Sequence, residues 1–182
     1  MNPVDRAALL GIAHAAVRHR LGVGPVPALP SAGPLCEPRG AFVTLRVRGE
    51  LRGCMGTFTP SGSLALTVAQ MAGAAANDDP RFGPLPTEDL DDLDVSISAV
   101  GERRRLGVPA DIEVGRHGLV VQLGWHRGTL LPQVAVEEGW NALTFLERTC
   151  LKAGLPPQAW RDPEAVVELF PAEVIPGGDA AA

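Results

Sequence analysis

From Asn2 to Arg20, the apolar residues Leu9, Ile12, Ala13, Ala16 and Val17 recur at spacings of three and four, the period of a helix with one buried face. Asn2 stands as an N-cap, Pro3 at the first helical position and Asp5 in the first turn, so a helix is predicted from here to about Arg20. Residues 22–40 then hold five prolines and four glycines, which remove backbone donors and predict a long ordered loop. At Ala41 the period changes to two. Ala41, Val43, Leu45 and Val47 alternate with Phe42, Thr44, Arg46 and Arg48, the mark of a half-buried strand. Gly49 turns the chain, and residues 51–57 are predicted to return as the partner strand of a hairpin.

Ser61 or Ser63 is placed to cap an alanine-rich helix over residues 64–76, stopped by Asp79-Pro80. Leu93, Val95, Ile97 and Ala99 alternate with Asp94, Ser96 and Ser98, a further strand. More strands are predicted at 112–114 and 119–123, with the turn 115–118 between them and a second turn at 124–128 before a short pairing segment at 129–131. Pro132 opens a short helix, and Asn141 caps a longer one with Leu143, Leu146 and Cys150 on one face and Gly154 as its left-handed stop. Val167 to Phe170 reads as a last strand. Strands joined by turns, with helices interposed irregularly, predict an α+β fold with a mainly antiparallel sheet and flanking helices. No repeat or domain break interrupts residues 1–182, which read as a single domain ending in a flexible small-residue tail from Gly177 to Ala182.

Composition narrows the partners. With 46% hydrophobic and 20% charged residues the chain can bury a core, and its net charge of −5 gives no general field to displace counterions from a phosphate backbone. DNA is therefore disfavoured, and the absence of Tyr leaves few stacking platforms for RNA. Arg103-Arg104-Arg105 reads as a solvated loop. Cys36, Cys54 and Cys150 match no secreted disulfide framework, which fits reduced thiols and a cytoplasmic protein. The first residues lack the pattern of a signal peptide, and the apolar run 64–76 is too short to cross a bilayer.

The candidate chemistry centres on Arg52-Gly53-Cys54-Met55-Gly56. Side chains two apart on a strand share a face, so alternation sets Arg52 beside Cys54, where a guanidinium favours thiolate over thiol. Gly53 and Gly56 weaken a strand interior and point to close approach by a backbone or ligand, or to a bulge. In the competing reading Cys54 is a small core hydrophobe and Arg52 a surface ion-pair donor. His117, on a predicted turn, is the best-placed histidine for a general base, or is simply exposed there. Asp78-Asp79-Pro80-Arg81-Phe82 can offer carboxylates and a guanidinium to a ligand, or serve as a helix terminator. Trp125, Trp140 and Trp160 read as core or interface anchors. No metal-ligand spacing, phosphate loop, dinucleotide turn or serine-hydrolase elbow occurs, so neither a metal nor a cofactor is predicted.

The segment 41–45, then Gly49, then Leu51-Arg52-Gly53-Cys54-Met55-Gly56, resembles the signature of the AMMECR-one domain family, with Met55 in place of the usual isoleucine. The likeness continues through Asp79-Pro80-Arg81-Phe82, Val114 to Gly118, the run 130–135 around Gln133, Gly139-Trp140 and the segment 145–154. The resemblance implies two lobes with a cleft lined by the Leu-Arg-Gly-Cys segment, and a place beside a Memo-like protein and a radical SAM protein, as protein A of the AmmeMemoRadiSam system. A role in RNA modification is a further implication, less favoured on charge. The chain is thus expected to be either a cysteine-dependent enzyme or subunit, with Cys54, Arg52 and His117 as catalytic candidates and Gly53, Gly56, Asp79, Arg81 and Gln133 as ligand contacts, or a noncatalytic binding module.

Overall fold

Helix α1 (Pro3–Arg20) starts where its cap signal lies: the Asn2 side chain accepts the Asp5 N–H at 2.8 Å. In the computed structural model, which describes residues 1–178, it belongs to the first of two compact units, made of residues 1–100 and 173–178. The proline-rich stretch that follows carries only a short 3-10 turn, Pro34–Cys36, which buries Leu35. Strands β1 (Gly40–Val47) and β2 (Glu50–Thr57) form the predicted antiparallel hairpin. Its two turn residues both take left-handed backbone, Arg48 at φ 52° and Gly49 at φ 82°, as a two-residue turn between right-twisted strands requires.

Helix α2 (Leu64–Asn77) is capped by Ser63, whose hydroxyl accepts the Leu66 N–H at 3.2 Å, and β3 (Leu93–Val100) pairs with the other side of β1. Ala41, Val43 and Leu45 of β1 and Val95, Ile97 and Ala99 of β3 pack into one buried cluster with Leu9, Ala13 and Val17 of α1 and Leu64, Val68 and Ala72 of α2. The helices therefore cover one face of the three-stranded sheet. Phe42, Thr44, Ser96 and Ser98 alternate onto the other.

The second unit, residues 101–172, holds β4 (Arg104–Arg105), β5 (His117–Leu123), β6 (His126–Leu130), α3 (Pro132–Glu137), α4 (Ala142–Lys152) and most of β7 (Val166–Ile175). Here β7 pairs with β4 and β5, and β5 with β6, all antiparallel. Leu119, Val121, Val167 and Leu169 meet Phe145, Leu146 and Cys150 of α4 in a second core, and Gly154 ends α4 at φ 75°. The mixed α+β class and the antiparallel pairing match the sequence pattern.

Several elements differ from it. Residues 112–114 form no strand; a 3-10 turn, Pro109–Asp111, carries the chain so that Ile112 enters the core with its N–H on the Pro109 carbonyl at 3.2 Å. The arginine run is not a free loop, because Arg104 and Arg105 pair with Leu169 and Glu168, and Arg103 meets the Glu168 carboxylate at 2.7 Å. Trp125, at the hairpin tip, is 92% exposed and is no core anchor, whereas Trp140 and Trp160 pack on the second core. Gly177 is buried, since a Cβ there would fall on the Asp94 carboxylate; the expected tail beyond it lies, from residue 179 on, outside the described residues. No helix among the described residues is long and apolar enough to cross a membrane.

The Asn141 side chain accepts the Thr144 N–H at 2.9 Å and so caps the helix that supplies much of the second core. Asn141→Ala is expected to lower the unfolding free energy by about 1 kcal/mol, seen as a lower urea midpoint at unchanged slope. An unchanged midpoint would show that the cap contributes nothing.

Candidate functional site

One extra residue in β2 decides which side chains face where. Near the turn, Val47 lies opposite Glu50 and Arg46 opposite Leu51, but the register then shifts, so that Leu45 faces Gly53 and Thr44 faces Cys54. Arg52 is the unpaired residue of this bulge. Had the register continued unbroken, Cys54 would oppose Val43 on the helix-covered face, and Arg52 would oppose the buried Leu45. The bulge instead turns Gly53 and Met55 toward α2 and the core, and Cys54 and Gly56 toward the polar face with Thr44 and Phe42.

The glycines answer to contacts on both faces. A Cβ at Gly53 would fall on the Ala75 carbonyl oxygen of α2, so the helix backbone lies directly against the strand; a Cβ at Gly56 would fall on the Phe42 ring. Cys54 itself is half-buried, and its sulfur accepts the Thr44 hydroxyl at 3.3 Å.

Beyond α2 the chain folds back through Asp79-Pro80-Arg81, with the Phe82 N–H on the Asp79 carbonyl at 3.1 Å and the Leu85 N–H on the Ala76 carbonyl at 2.7 Å. This turn delivers the Asp79 carboxylate, only 4% exposed, to the outer edge of β2. There it accepts the Cys54 N–H at 2.8 Å, the Arg81 N–H at 3.1 Å, and the Arg81 Nε and Nη2 at 2.9 and 2.6 Å. The Arg81 side-chain bonds hold the Asp79 carboxyl far below the usual carboxylate range; its burial opposes this, and the two backbone N–H donors reinforce it.

β2 has β1 as its strand neighbour, so alternate residues of β2 turn their N–H and C=O outward. Cys54 is such a residue: Asp79 takes its N–H, and Arg81 Nη2 lies 3.5 Å from its carbonyl. Residues that exchange no ladder bonds approach most closely, which accounts for the cross-strand contact between Thr44 and the thiol.

The structure thus brings Cys54, Gly53, Gly56, Asp79 and Arg81 together in the first unit. Arg52 is on the same strand, but alternation no longer sets it beside Cys54, because the bulge falls at Arg52 itself. His117 and Gln133 belong to the second unit. His117 does not stand on a turn. It begins β5, is 5% exposed, and its Nδ1 accepts the Glu113 N–H at 3.0 Å, so that lone pair is not free to take a proton. Gln133 lies in the first turn of α3. Sequence reasoning missed Thr44; placing it opposite Cys54 required the bulge. An open groove of about 300 Å³, lined by Ala16, Ala69, Gly73 and Ala74 between α1 and α2, meets the candidate segments only at Asp78, whose carboxylate is paired with Arg20 at 2.6 Å. Among the described residues no group of three or more His, Cys, Asp or Glu is gathered as a metal ion would require.

Comparison with known proteins adds a family. Residues 10–175 match the family model described as AMMECR1. The chain is 49% identical over 144 residues to a protein of Methanothermobacter thermautotrophicus, an alignment covering 76% of this chain and 75% of that one. It is 40% identical over 177 residues to protein MK0488 of Methanopyrus kandleri, covering 91% and 85%. Among solved structures, that of the uncharacterized protein PH0010 from Pyrococcus horikoshii superposes with a TM-score of 0.83 at 39% identity, over 91% of this chain and 88% of that one.

Two outcomes follow from the geometry. Asp79→Asn is expected to cost roughly 2–3 kcal/mol in chemical unfolding, less than a fully buried pair because Arg81 is half exposed; a cost near zero would mean the carboxylate charge is not used. Burial lowers the His117 pKa from its ordinary value near 6.5, so its contribution to stability is complete above that pH and is lost as the pH falls through the depressed folded value. Unfolding measured from pH 7.5 to 5 should show that loss in the native chain, and His117→Gln should flatten the slope.

Proposed function

The chain belongs to the AMMECR1 family, and from that premise we propose that Cys54 is its reactive centre, a nucleophile or acyl carrier in a small cysteine-dependent enzyme or enzyme subunit. The observation that carries this reading is the Thr44 hydroxyl donating to the Cys54 sulfur at 3.3 Å, on the sheet face opposite the helices. A core cysteine needs no such donor. Hydroxyl donation stabilises negative charge on sulfur as it attacks, and the Arg81 guanidinium adds a cation at the same residue's carbonyl. Asp79 supports the reaction by position: its four accepted bonds fix the Cys54 backbone and leave it no capacity as a base.

The same arrangement weighs against a binding edge built by strand addition. That mode needs free N–H and C=O groups along β2, and at Cys54 both are already turned onto Asp79 and Arg81. The resemblance to protein A of the AmmeMemoRadiSam system is what supports work beside a Memo-like protein and a radical SAM protein. The net charge of −5 weighs against RNA as the substrate.

Alkylation by iodoacetamide at pH 7, followed residue by residue by mass spectrometry, tests the reading. Cys54 is expected to react faster than glutathione and far faster than Cys150, which is fully buried and whose thiol burial pushes up. Thr44→Val should slow Cys54 about fivefold, the equivalent of one hydrogen bond of about 1 kcal/mol. Reaction of Cys54 no faster than glutathione would overturn the assignment.

A further inference from the structure

Helix α1 is apolar on two faces. Leu9, Ile12, Ala13, Ala16 and Val17 enter the core. On the opposite side Val4, Ala8, Gly11 and Ala15 recur at spacings of four, three and four, with Ala7 beside them. A helix lying on a sheet turns a polar face to water. Here Val4 is 77% exposed, Ala7, Ala8 and Gly11 are exposed, and a Cβ at Gly11 would meet nothing within 4 Å.

The chain after α1 enlarges this face. Residues 21–36 contain no Asp, Glu, Lys, Arg or His. They run along α1 as an extended strap, held by the Val23 N–H on the Arg18 carbonyl at 2.9 Å and by the Cys36 thiol on the Pro30 carbonyl at 3.3 Å. Pro27, Ala28 and Pro30 wall an open trough of about 400 Å³ that is also lined by Ala8, Gly11 and Ala15 of α1. Val23, Val26 and Leu29 of the strap are exposed, Val26 by 71%. A contiguous apolar surface of this extent marks a contact.

Charge indicates what the contact is. Each copy of the chain carries a net charge of −5, so two copies meet with least repulsion on a face free of acids. The face is also complementary to itself. About a twofold axis at Gly11 the two α1 helices run antiparallel, which sets Ala8 near Ala15 and Val4 over the aliphatic stem of Arg18. The same pairing brings the acidic first turn of each helix, with Asp5, to the basic last turn of the other, with Arg18. Neither Asp5 nor Arg18 has an ion pair among the described residues.

We propose that a second copy of this chain covers this face, the two α1 helices packed antiparallel across Gly11 with a strap on either side. Nothing in it depends on Cys54. The patch measures roughly 27 Å by 20 Å, on the order of 500 Å² per copy, which is small for an interface and gives a dimer that dissociates at about 10 micromolar.

Sedimentation equilibrium of the full chain from about 1 to about 500 micromolar tests it. The mass should rise with concentration from that of one chain, 19.1 kDa, toward twice that. Gly11→Gln places a side chain into open space on the outer helix face, so it should keep or raise the melting temperature of the fold while weakening the dimer at least tenfold. Arg18→Glu should weaken the dimer about fivefold, and adding Asp5→Lys should restore it. A native chain that keeps the mass of one copy throughout overturns the proposal, whether another protein or nothing covers the face. A dimer unaffected by Gly11→Gln overturns it as well, because the copies then meet elsewhere. No loss on Arg18→Glu, or a loss that Asp5→Lys does not restore, refutes the antiparallel pairing.

Discussion

The site depends on a shift of one residue in the β1–β2 hairpin. Strand side chains alternate with a period of two, so the bulge at Arg52 reverses the face of every residue between it and the end of β2. In the unbroken register a guanidinium would oppose the buried Leu45, and the thiol would lie under the helices. With the bulge, Gly53 lets the α2 backbone lie flush on the strand, Met55 fills the core, and Cys54 meets Thr44. Packing selects this register: the alternative puts an arginine side chain where the α2 backbone passes and a sulfur where Met55 now fills the core.

A second constraint holds the edge in place. The outward N–H of Cys54 is an exposed strand edge's usual liability, and the Asp79 carboxylate covers it while gripping Arg81 with its remaining lone pairs. The segment after α2 is therefore both a helix stop and a strand cap. The two sequence readings of residues 78–82, structure or ligand contact, meet in one device: Asp79 is consumed by the fold, and Arg81 presents what is left of its guanidinium beside the cysteine carbonyl.

Much of the fold was legible. The cap at Asn2, the hairpin turn at Gly49, the strand at residues 93–99 and the α4 cap at Asn141 follow from local rules that tertiary packing had no reason to override. What escaped was set by non-local pairing. Arg104 and Arg105 carry no strand signal of their own and are recruited by β7, while Ile112 is buried through a 3-10 turn that periodicity cannot announce. At the site, Gly53 marks close approach by a backbone, whereas Gly56 makes room for the Phe42 ring rather than for a backbone or ligand, and the bulge's place within the segment has no local signal. For that reason alternation alone sets Arg52 beside Cys54 and gives no sign of Thr44. His117 has the sequence surroundings of a turn residue because its glycine neighbours conceal that it begins a buried strand.

The central claim is that the shifted register turns the Cys54 N–H outward onto Asp79. Residue-resolved amide hydrogen exchange measures this directly. The account predicts that Cys54, although its N–H points away from β1, exchanges as slowly as the ladder-bonded amides of Gly53 and Met55. Exchange at Cys54 as fast as at Gly49, in the hairpin turn, would contradict it.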